Sequence, residues 1–269
     1  MFVTHKAENR VVYVTSDILK SKHAFSTRIG GVSEKEHTSS LNLAFNRGDD
    51  DEIVLENLRR FSEAVGFDPK TVISLPQIHS TNVIDADISM GGEGYFKPPH
   101  TSCDGYVTTQ KGVVLGVKTA DCVPIILEAE DENGNVVAVS ALHAGWRGTV
   151  GGIAEQGVLA LVEKGAKVSH IRAAIGPSIG ACCFEVGDDF VSTVIEVRGT
   201  DFAGKFISDR YGKKYADLKA MNFDILKKSG VSAENIDVFG ECTYCLENKY
   251  YSHRRMKGQR GTQLSVVFI

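Results

Sequence analysis

The chain has 269 residues, of which 42% are hydrophobic and 24% are charged; this composition is typical of a folded globular protein and excludes a disordered, collagen-like or coiled-coil chain. Lys and Arg number 30 against 34 Asp and Glu, and because polyanion binders usually carry a large basic excess, we expect no nucleic-acid partner. The segment Met1–Arg10 is polar and mixed in charge, unlike a secretory signal, and no apolar run approaches the roughly 20 residues that cross a bilayer. We therefore predict a cytoplasmic protein with no membrane association, in which the cysteines stay reduced.

The sequence has no low-complexity tract, long linker or fixed-period repeat, so we predict one domain over residues 1–269. Runs of β-type hydrophobicity predict strands at Val11–Thr15, Val72–Ile78, Asp104–Thr109, Val113–Lys118, Val123–Ala129, Val136–Leu142, Ile171–Ile175, Ile236–Phe239 and Leu264–Ile269. Helical periodicity predicts helices at Asp51–Val65, Gly152–Lys164, Asp188–Val197 and Tyr215–Lys228.

The order of these elements indicates the fold class. Asn133-Gly134 lies between the strands Val123–Ala129 and Val136–Leu142, and this dipeptide favours a tight turn in an antiparallel hairpin. Strands cluster in the middle of the chain and helices separate the later ones. The pattern therefore predicts an α+β fold, a layered sandwich of mixed β-sheets flanked by helices, rather than a strict βαβ repeat.

Three chemically active residues occur where predicted strands begin or end, namely His79, Cys122 and His143. Strand ends hold functional groups firmly while the adjoining loops leave them accessible. Two imidazoles and a thiolate are suitable ligands for a catalytic zinc ion, whose fourth position stays open for water or substrate. Asp121 is a candidate for the carboxylate that orients one imidazole.

Spacing alone leaves two alternatives to a metal site. In the first, Cys122 is a small buried hydrophobic residue and the two histidines are ordinary hydrogen-bonded polar residues. In the second, Cys122 acts as a nucleophile and His79 or His143 is its base.

Three arginines lie in segments that suit anion binding. Gly145–Gly152 is rich in glycine, precedes a predicted helix and contains Arg147, although it is no Walker motif and also fits an ordinary helix-entry loop. Arg28 follows a predicted strand at a Gly-Gly turn, where it binds an anion or caps the turn. Tyr250–Arg255 combines aromatic residues with Arg254, which suits nucleobase stacking and phosphate contact but also a charged edge strand.

The remaining cysteines include the pair Cys242-x-x-Cys245, a spacing typical of zinc ribbons and redox sites. A zinc ribbon needs a second pair, and the chain offers only the adjacent Cys182-Cys183. We expect those neighbouring side chains to point apart. The sequence therefore predicts a packing role for Cys242 and Cys245.

Several segments occur together in an order known from one family. They are Thr27-Arg28-x-Gly30-Gly31-Val32-Ser33, Asn42-Leu43, Gln77-Ile78-His79, Thr119-Ala120-Asp121-Cys122-Val123-Pro124-Ile125, His143-Ala144-Gly145-Trp146-Arg147-Gly148, Gly176-Pro177-x-Ile179, Phe184-Glu185-Val186, Cys242-Thr243 and Tyr251-Ser252-x-Arg254-Arg255. The chain resembles the laccase-domain proteins, once catalogued as polyphenol oxidases and now regarded as zinc-dependent purine nucleoside phosphorylases.

The resemblance implies that His79, Cys122 and His143 bind Zn²⁺. It also implies phosphorolysis of adenosine, inosine and guanosine to the free base and ribose 1-phosphate, so purine nucleosides and phosphate are the expected partners. Activity toward methylthioadenosine and deamination of adenosine are known in the family. The residues that we expect to contact phosphate or ribose are Arg28, Arg147 and Arg254. The residues that we expect to be catalytic are Cys122, His79, His143, Arg28 and Arg147.

The chain departs from the family pattern at three positions. Ser80 stands where glycine is common, and His253 replaces an aromatic residue. Arg260 precedes Gly261, whereas the family pattern has an arginine after that glycine. If this arginine binds substrate, Arg260 has to replace it from another position. The candidates for the general acid are Asp121 and Glu185.

Two other functions fit the same residues. One is a metal-independent Cys-His hydrolase or deamidase that uses Cys122, and the other is a metal-binding module without catalytic activity. A multicopper oxidase is disfavoured, because such enzymes need closely spaced histidine pairs and the eight histidines of this chain include no His-x-His.

Overall fold

Two six-stranded sheets lie at the centre of the protein in a computed structural model, which describes residues 1–269. The strands, numbered β1 to β15 in chain order, are Phe2–Lys6, Val12–Ser16, Lys22–Ser26, Val72–Ile73, Val83–Asp85, Gly105–Thr108, Val114–Thr119, Val123–Glu130, Val136–Ala144, Ile171–Ile175, Glu185–Val186, Ile207–Arg210, Lys213–Ala216, Ile236–Val238 and Gln263–Phe268. The helices, numbered α1 to α6, are Asp51–Val65, Trp146–Gly151, Ile153–Glu163, Asp188–Arg198, Thr200–Phe206 and Leu218–Lys228.

The first sheet has the strand order β1-β2-β3-β15-β7-β4 and the second has the order β14-β10-β8-β9-β6-β5. A small antiparallel sheet contains β11, β13 and β12. The pairs β4–β7, β10–β14 and β5–β6 are parallel and the other pairs are antiparallel. Both large sheets are therefore mixed.

The buried faces of β8 show how the layers stack. All eight residues of this strand are buried. Ile125 and Leu127 pack with side chains of α3 and α6, whereas Ile126 packs between the two large sheets. On the far side of the first sheet, α1 contributes Leu58 and Phe61 to a third cluster. The result is a sandwich of helices, sheet, sheet and helix, which confirms the predicted α+β class.

Helix α1 begins and ends where the periodicity of Asp51–Val65 predicts it. Its last turn is followed by Gly66, whose φ of +89° suits glycine because that residue lacks a Cβ atom. The predicted hairpin is also confirmed, since β8 and β9 pair antiparallel on either side of the Asn133-Gly134 turn. Helices α3 and α4 lie within one residue of their predicted bounds.

The prediction of a strand over Val72–Ile78 is wrong beyond Ile73, where the chain leaves the sheet. Pro76 cannot donate a backbone hydrogen bond to a neighbouring strand. In place of strand pairing, the side-chain amide of Gln77 binds the backbone of Lys118 twice, with both bonds 2.7 Å long. The segment that carries His79 is thus free to form a loop.

The predicted helix Tyr215–Lys228 begins three residues later, at Leu218. Asp217 caps this helix by accepting a hydrogen bond from the Ala220 amide, and Tyr215 belongs to the small sheet.

The sequence did not predict β1, β5, α2, α5 or the three strands of the small sheet. Each of these segments has at most seven residues, so it is too short to show a clear hydrophobic periodicity. None of the helices combines the length and apolar character required to span a membrane.

Candidate metal centre and adjoining cavities

The fold brings His79, Cys122 and His143 together, although the first and the last are 64 positions apart in the sequence. The imidazole nitrogens and the Cys122 sulfur all lie within 4.8 Å of one another. The rings of His79 and His143 meet edge to face, with their centroids 5.0 Å apart. The β8–β9 register pairs Pro124 with His143, which places Cys122 beside His143 at the open end of the hairpin.

Two residues at this site have unusual backbone conformations. His79 has a φ of +60° and Asp121 has a φ of +82°, values in the left-handed region that side chains with a Cβ atom seldom adopt. Such residues cluster where a fold holds functional groups in a required position. The surrounding hydrogen bonds keep both residues in place.

The buried carboxylate of Asp104 links the two histidines. Its Oδ1 accepts hydrogen bonds from Nδ1 of His143, at 2.8 Å, and from the backbone amide of His79, at 3.0 Å. Its Oδ2 accepts from the amide and hydroxyl of Ser80, at 2.6 and 2.7 Å. Because Nδ1 of His143 donates to Asp104, the Nε2 atom faces the site and becomes available as a ligand when it releases its proton.

Sequence analysis missed Asp104 and gave its role to Asp121. That prediction is wrong, because the Asp121 carboxylate accepts hydrogen bonds from the Thr243 hydroxyl, at 2.6 Å, and from the Ser252 hydroxyl, at 2.9 Å. It also accepts one from the Arg254 amide, at 2.7 Å. Asp121 therefore anchors the C-terminal segment. The only local signal for Asp104 was its position at the start of the predicted strand Asp104–Thr109.

The charges at this centre favour a thiolate. Burial opposes ionisation of the Cys122 thiol, but the neighbouring His143 and His79 outweigh it and lower the thiol pKa to about 6. Burial likewise opposes protonation of His143, but the Cys122 charge and the Asp104 hydrogen bond raise the pKa of this imidazole to about 9. Near neutral pH the metal-free pair is thiolate and imidazolium. A thiolate is the form that ligates metals and also the form that attacks electrophiles.

A cationic cavity of about 460 Å³ opens on one side of these residues. Arg47, Lys118 and Arg260 line it together with His79, Cys122 and His143, and no lining residue is acidic. The cavity therefore offers these three cations no carboxylate partner, and Nε of Arg260 is buried without a hydrogen-bond partner. Burial, reinforced by Arg47, lowers the pKa of Lys118 to about 8 and that of Arg260 to about 10. Arg47 is exposed and the other two are half-buried, and cations without acidic partners in a cleft favour a bound anion.

A more apolar cavity of about 320 Å³ lies on the other side and shares His79, Cys122 and Arg260 with the first. Its apolar walls include Trp146, Ile179, Phe184 and Leu218. Flat aromatic and aliphatic walls around a few polar groups are typical of sites for small organic ligands.

The three arginines predicted to contact substrate lie in different surroundings. Arg254 lines the apolar cavity, and its guanidinium donates to the Glu185 carbonyl at 2.9 Å. Arg28 lines neither cavity; its guanidinium donates to backbone carbonyls, including that of Ser39 at 2.7 Å, and stacks on Tyr251. Arg147 is exposed, lines neither cavity and stacks on the ring of Trp146.

The cations in the cavities differ from most of those predicted. Arg260, flagged for its unusual position in the sequence, lines both cavities. Sequence analysis missed Arg47 and Lys118. A lysine inside the apolar strand Val114–Thr119 was a usable signal, whereas nothing around Arg47 distinguished it. Of the two general-acid candidates, Asp121 lines the apolar cavity and the Glu185 carboxylate instead pairs with a surface lysine.

Comparisons with known proteins identify the family of this chain. A family model described as multi-copper polyphenol oxidoreductase laccase matches residues 22–269. The chain is 37% identical over 245 residues to a protein of Deinococcus radiodurans named purine nucleoside phosphorylase, covering 91% of this chain and 88% of that protein. It is 36% identical over 247 residues to adenosine deaminase RL5, from an unknown prokaryotic organism, covering 91% and 93% of the two chains.

A solved structure shares the whole architecture. The hypothetical protein YfiH of Bacillus licheniformis superposes with a TM-score of 0.88 at 26% identity, over 99% of this chain and 98% of that one. The family match, the two relatives and this structure each extend over nearly the full chain. The protein therefore belongs to the family of multi-copper polyphenol oxidoreductase laccases, the laccase-domain proteins that its motifs resemble.

Proposed function

We propose that this protein is a zinc-dependent purine nucleoside phosphorylase that converts adenosine, inosine and guanosine, with phosphate, to the free base and ribose 1-phosphate. One observation carries the proposal: a cationic cavity and an aromatic cavity meet at His79 and Cys122. A phosphorolytic enzyme has to hold an anion and a purine on opposite sides of one sugar carbon. The name of the Deinococcus radiodurans relative supports the same reaction.

The donor set at His79, Cys122 and His143 fits a catalytic zinc ion. Two imidazoles and a thiolate leave one tetrahedral position open, and the Asp104–His143 hydrogen bond supplies the outer support that such ligands usually have. Blue-copper centres combine similar donors with a weak methionine ligand, and no methionine lines either cavity. A zinc ion held here would supply Lewis-acid chemistry where the two cavities meet.

Arg47, Lys118 and Arg260 are our candidates for the phosphate site. Three cations without acidic partners raise the local concentration of an anion and hold it in a defined position. The two guanidinium groups suit phosphate because their planar donor pairs match its oxygen atoms. We propose that these residues, rather than Arg28 and Arg147, make the main phosphate contacts.

The apolar cavity is our candidate for the purine site, with Trp146 and Phe184 beside the ring and Arg254 at the rim. Phosphate then approaches the sugar carbon C1′ from the cationic side. A phosphate oxygen forms a bond to C1′ while the bond from C1′ to the base nitrogen breaks, and its electron pair moves onto the purine. Positive charge develops on the sugar in the transition state, where the bound phosphate stabilises it by position and charge.

We also propose adenosine deamination and methylthioadenosine phosphorolysis as side activities. Deamination replaces the amino group of adenosine with oxygen from water and releases inosine and ammonia. The relative named adenosine deaminase RL5, 36% identical to this chain, supports the first activity. The six cysteines are free, which fits the cytoplasmic location that we propose.

The hydrogen-bonded row of Asp104, His143 and Cys122 supports a second candidate function. A thiolate beside an imidazolium that a carboxylate orients is the arrangement of metal-independent cysteine hydrolases. His79 favours the metal, because its ring adds a third donor within 4.8 Å of the other two and a hydrolase has no need of it. A metal-binding module without activity is the remaining alternative.

Incubating the protein with adenosine, with and without phosphate, tests the proposed reaction. We expect adenine only in the presence of phosphate, and inosine in both samples if deamination also occurs. A chelator should abolish both products, and Cys122→Ala should lose metal and turnover together. Adenine formation that survives complete metal removal would favour the cysteine hydrolase, and the absence of both products would contradict the proposal.

Replacing Asp104 with Asn tests the support of the metal centre. An amide cannot hold the Nδ1–H of His143 as strongly as the carboxylate does, so we expect zinc affinity to fall roughly ten- to hundred-fold. Competition with a chromophoric chelator measures the change. The matched control is Asp189→Asn, at an exposed position on α4, which should leave the affinity unchanged; equal affinities in both variants would refute the role of Asp104.

Two single variants, Arg260→Gln and Arg147→Gln, locate the phosphate site. A hydrogen bond to a charged group contributes about 1.5–3 kcal/mol, so Arg260→Gln should raise the KM for phosphate by at least about ten-fold. Arg147→Gln should leave it nearly unchanged, because Arg147 lies outside both cavities. A larger rise of this KM in Arg147→Gln than in Arg260→Gln would instead place the phosphate site at Gly145–Gly152, as the sequence predicted.

The pKa of Lys118 predicts a pH dependence. Burial and Arg47 lower it to about 8, so the ammonium is charged below that pH and neutral above it. We expect the KM for phosphate to rise as the pH increases through about 8. Lys118→Arg should remove this rise, because arginine stays charged, and comparing the two profiles cancels the titration of phosphate itself. An identical rise in both proteins would exclude Lys118 as its cause.

A further inference from the structure

Four cysteines converge at a second place in the fold, away from Cys122. Cys182 and Cys183 lie in the loop after β10, and Cys242 and Cys245 lie in the segment after β14. All four sulfur atoms lie within 4.8 Å of one another, and none forms a disulfide. Cys103, the remaining cysteine, is buried in the core between the sheets.

The prediction that Cys182 and Cys183 point apart is wrong. Adjacent side chains point to opposite sides in an extended strand, but this segment is a turn in which the amides of Cys183 and Phe184 both bond the Gly180 carbonyl. Both sulfurs consequently approach Cys245, at 3.8 Å from Cys182 and 3.4 Å from Cys183.

These distances suit a tetrahedral metal site. Zinc–sulfur bonds of about 2.3 Å at tetrahedral angles place neighbouring sulfurs about 3.8 Å apart. A disulfide would bring two of them to about 2.05 Å. The two contacts of Cys245, 3.8 and 3.4 Å, and the 4.8 Å limit on the remaining pairs are therefore close to the spacing that one zinc ion requires.

A backbone amide supports the Cys242 sulfur. The Gly180 amide donates a hydrogen bond to this sulfur at 3.1 Å. Hydrogen bonds from backbone amides to ligand sulfurs are the usual outer support of a thiolate site.

A buried cation lies beside the cluster. Four thiolates around one divalent ion carry a net charge of −2, which a nearby cation can offset. The ammonium of Lys219 is buried, donates to the carbonyls of Phe239 and Glu241 at 2.7 and 3.0 Å, and forms no salt bridge. An open cleft lined by Cys182, Cys242 and Lys219 offers a route for the ion.

We propose that Cys182, Cys183, Cys242 and Cys245 bind one Zn²⁺ ion in a tetrathiolate site, independent of the His79–Cys122–His143 centre. Binding displaces the four thiol protons to solvent and forms four zinc–sulfur bonds, without any change of oxidation state. The four ligands leave no open position, so the site is structural.

The site fixes one wall of the apolar cavity. The loop that carries Cys182 and Cys183 also supplies Ile179 and Phe184 to that wall. The segment that carries Cys242 includes Thr243, which bonds Asp121 next to Cys122. A metal ion that joins the two segments therefore holds this wall against the catalytic centre.

Metal analysis of protein purified without chelators tests the proposal. We expect two zinc ions per chain in the unmodified protein, one in Cys122→Ala and one in the double variant Cys182→Ser/Cys245→Ser. The control Cys103→Ala should keep two, because this cysteine belongs to neither cluster. A single zinc ion that Cys122→Ala removes would overturn the tetrathiolate site and leave the proposed reaction untouched, whereas a single zinc ion that only the double variant removes would contradict the proposed catalytic centre.

X-ray absorption spectroscopy of Cys122→Ala identifies the ligands without altering the four cysteines. The expected spectrum shows zinc with four sulfur neighbours at about 2.3 Å. Iron in place of zinc, nitrogen or oxygen among the ligands, no bound metal, or a disulfide among the four residues would each overturn the proposal.

Discussion

The Asp104 carboxylate is the constraint on which the candidate site depends. It is fully buried, and such a group is costly unless its oxygens are well supplied with donors. Here the donors are the His143 ring and the loop that holds His79 and Ser80. Satisfying the buried charge therefore also sets the position of one imidazole and the backbone conformation of the other. The same hydrogen bonds therefore stabilise the fold and position the candidate ligands.

The layered fold explains why this carboxylate can act on residues so far apart in sequence. Strand β6, which begins directly after Asp104, pairs with β9, and β9 carries His143 near its end. Cys122 enters at the start of β8, on the other side of β9. Two neighbouring strand pairs thus bring the donors to the same end of the strands of the second sheet. The cavities open at that end, and loops from both large sheets line them.

The sequence was sufficient to predict elements whose signal is local. The helix Asp51–Val65 and the hairpin around Asn133-Gly134 follow from periodicity and turn chemistry within a few residues. The role of Asp104 depends on a strand pairing that no local pattern contains. Arg47 reaches the cationic cavity through a loop without regular periodicity. The assembly of the four cysteines depends on a turn at Cys182-Cys183. The sequence-based prediction that these side chains point apart assumed an extended backbone there.

The most direct test of the central claim is anomalous diffraction at the zinc absorption edge from crystals of the active protein grown with phosphate. The account predicts an anomalous peak bonded to His79, Cys122 and His143, with phosphate density beside Arg260 in the adjoining cavity. Crystals of active protein that show no peak between those three side chains, or phosphate bound only beside Arg147, would contradict it.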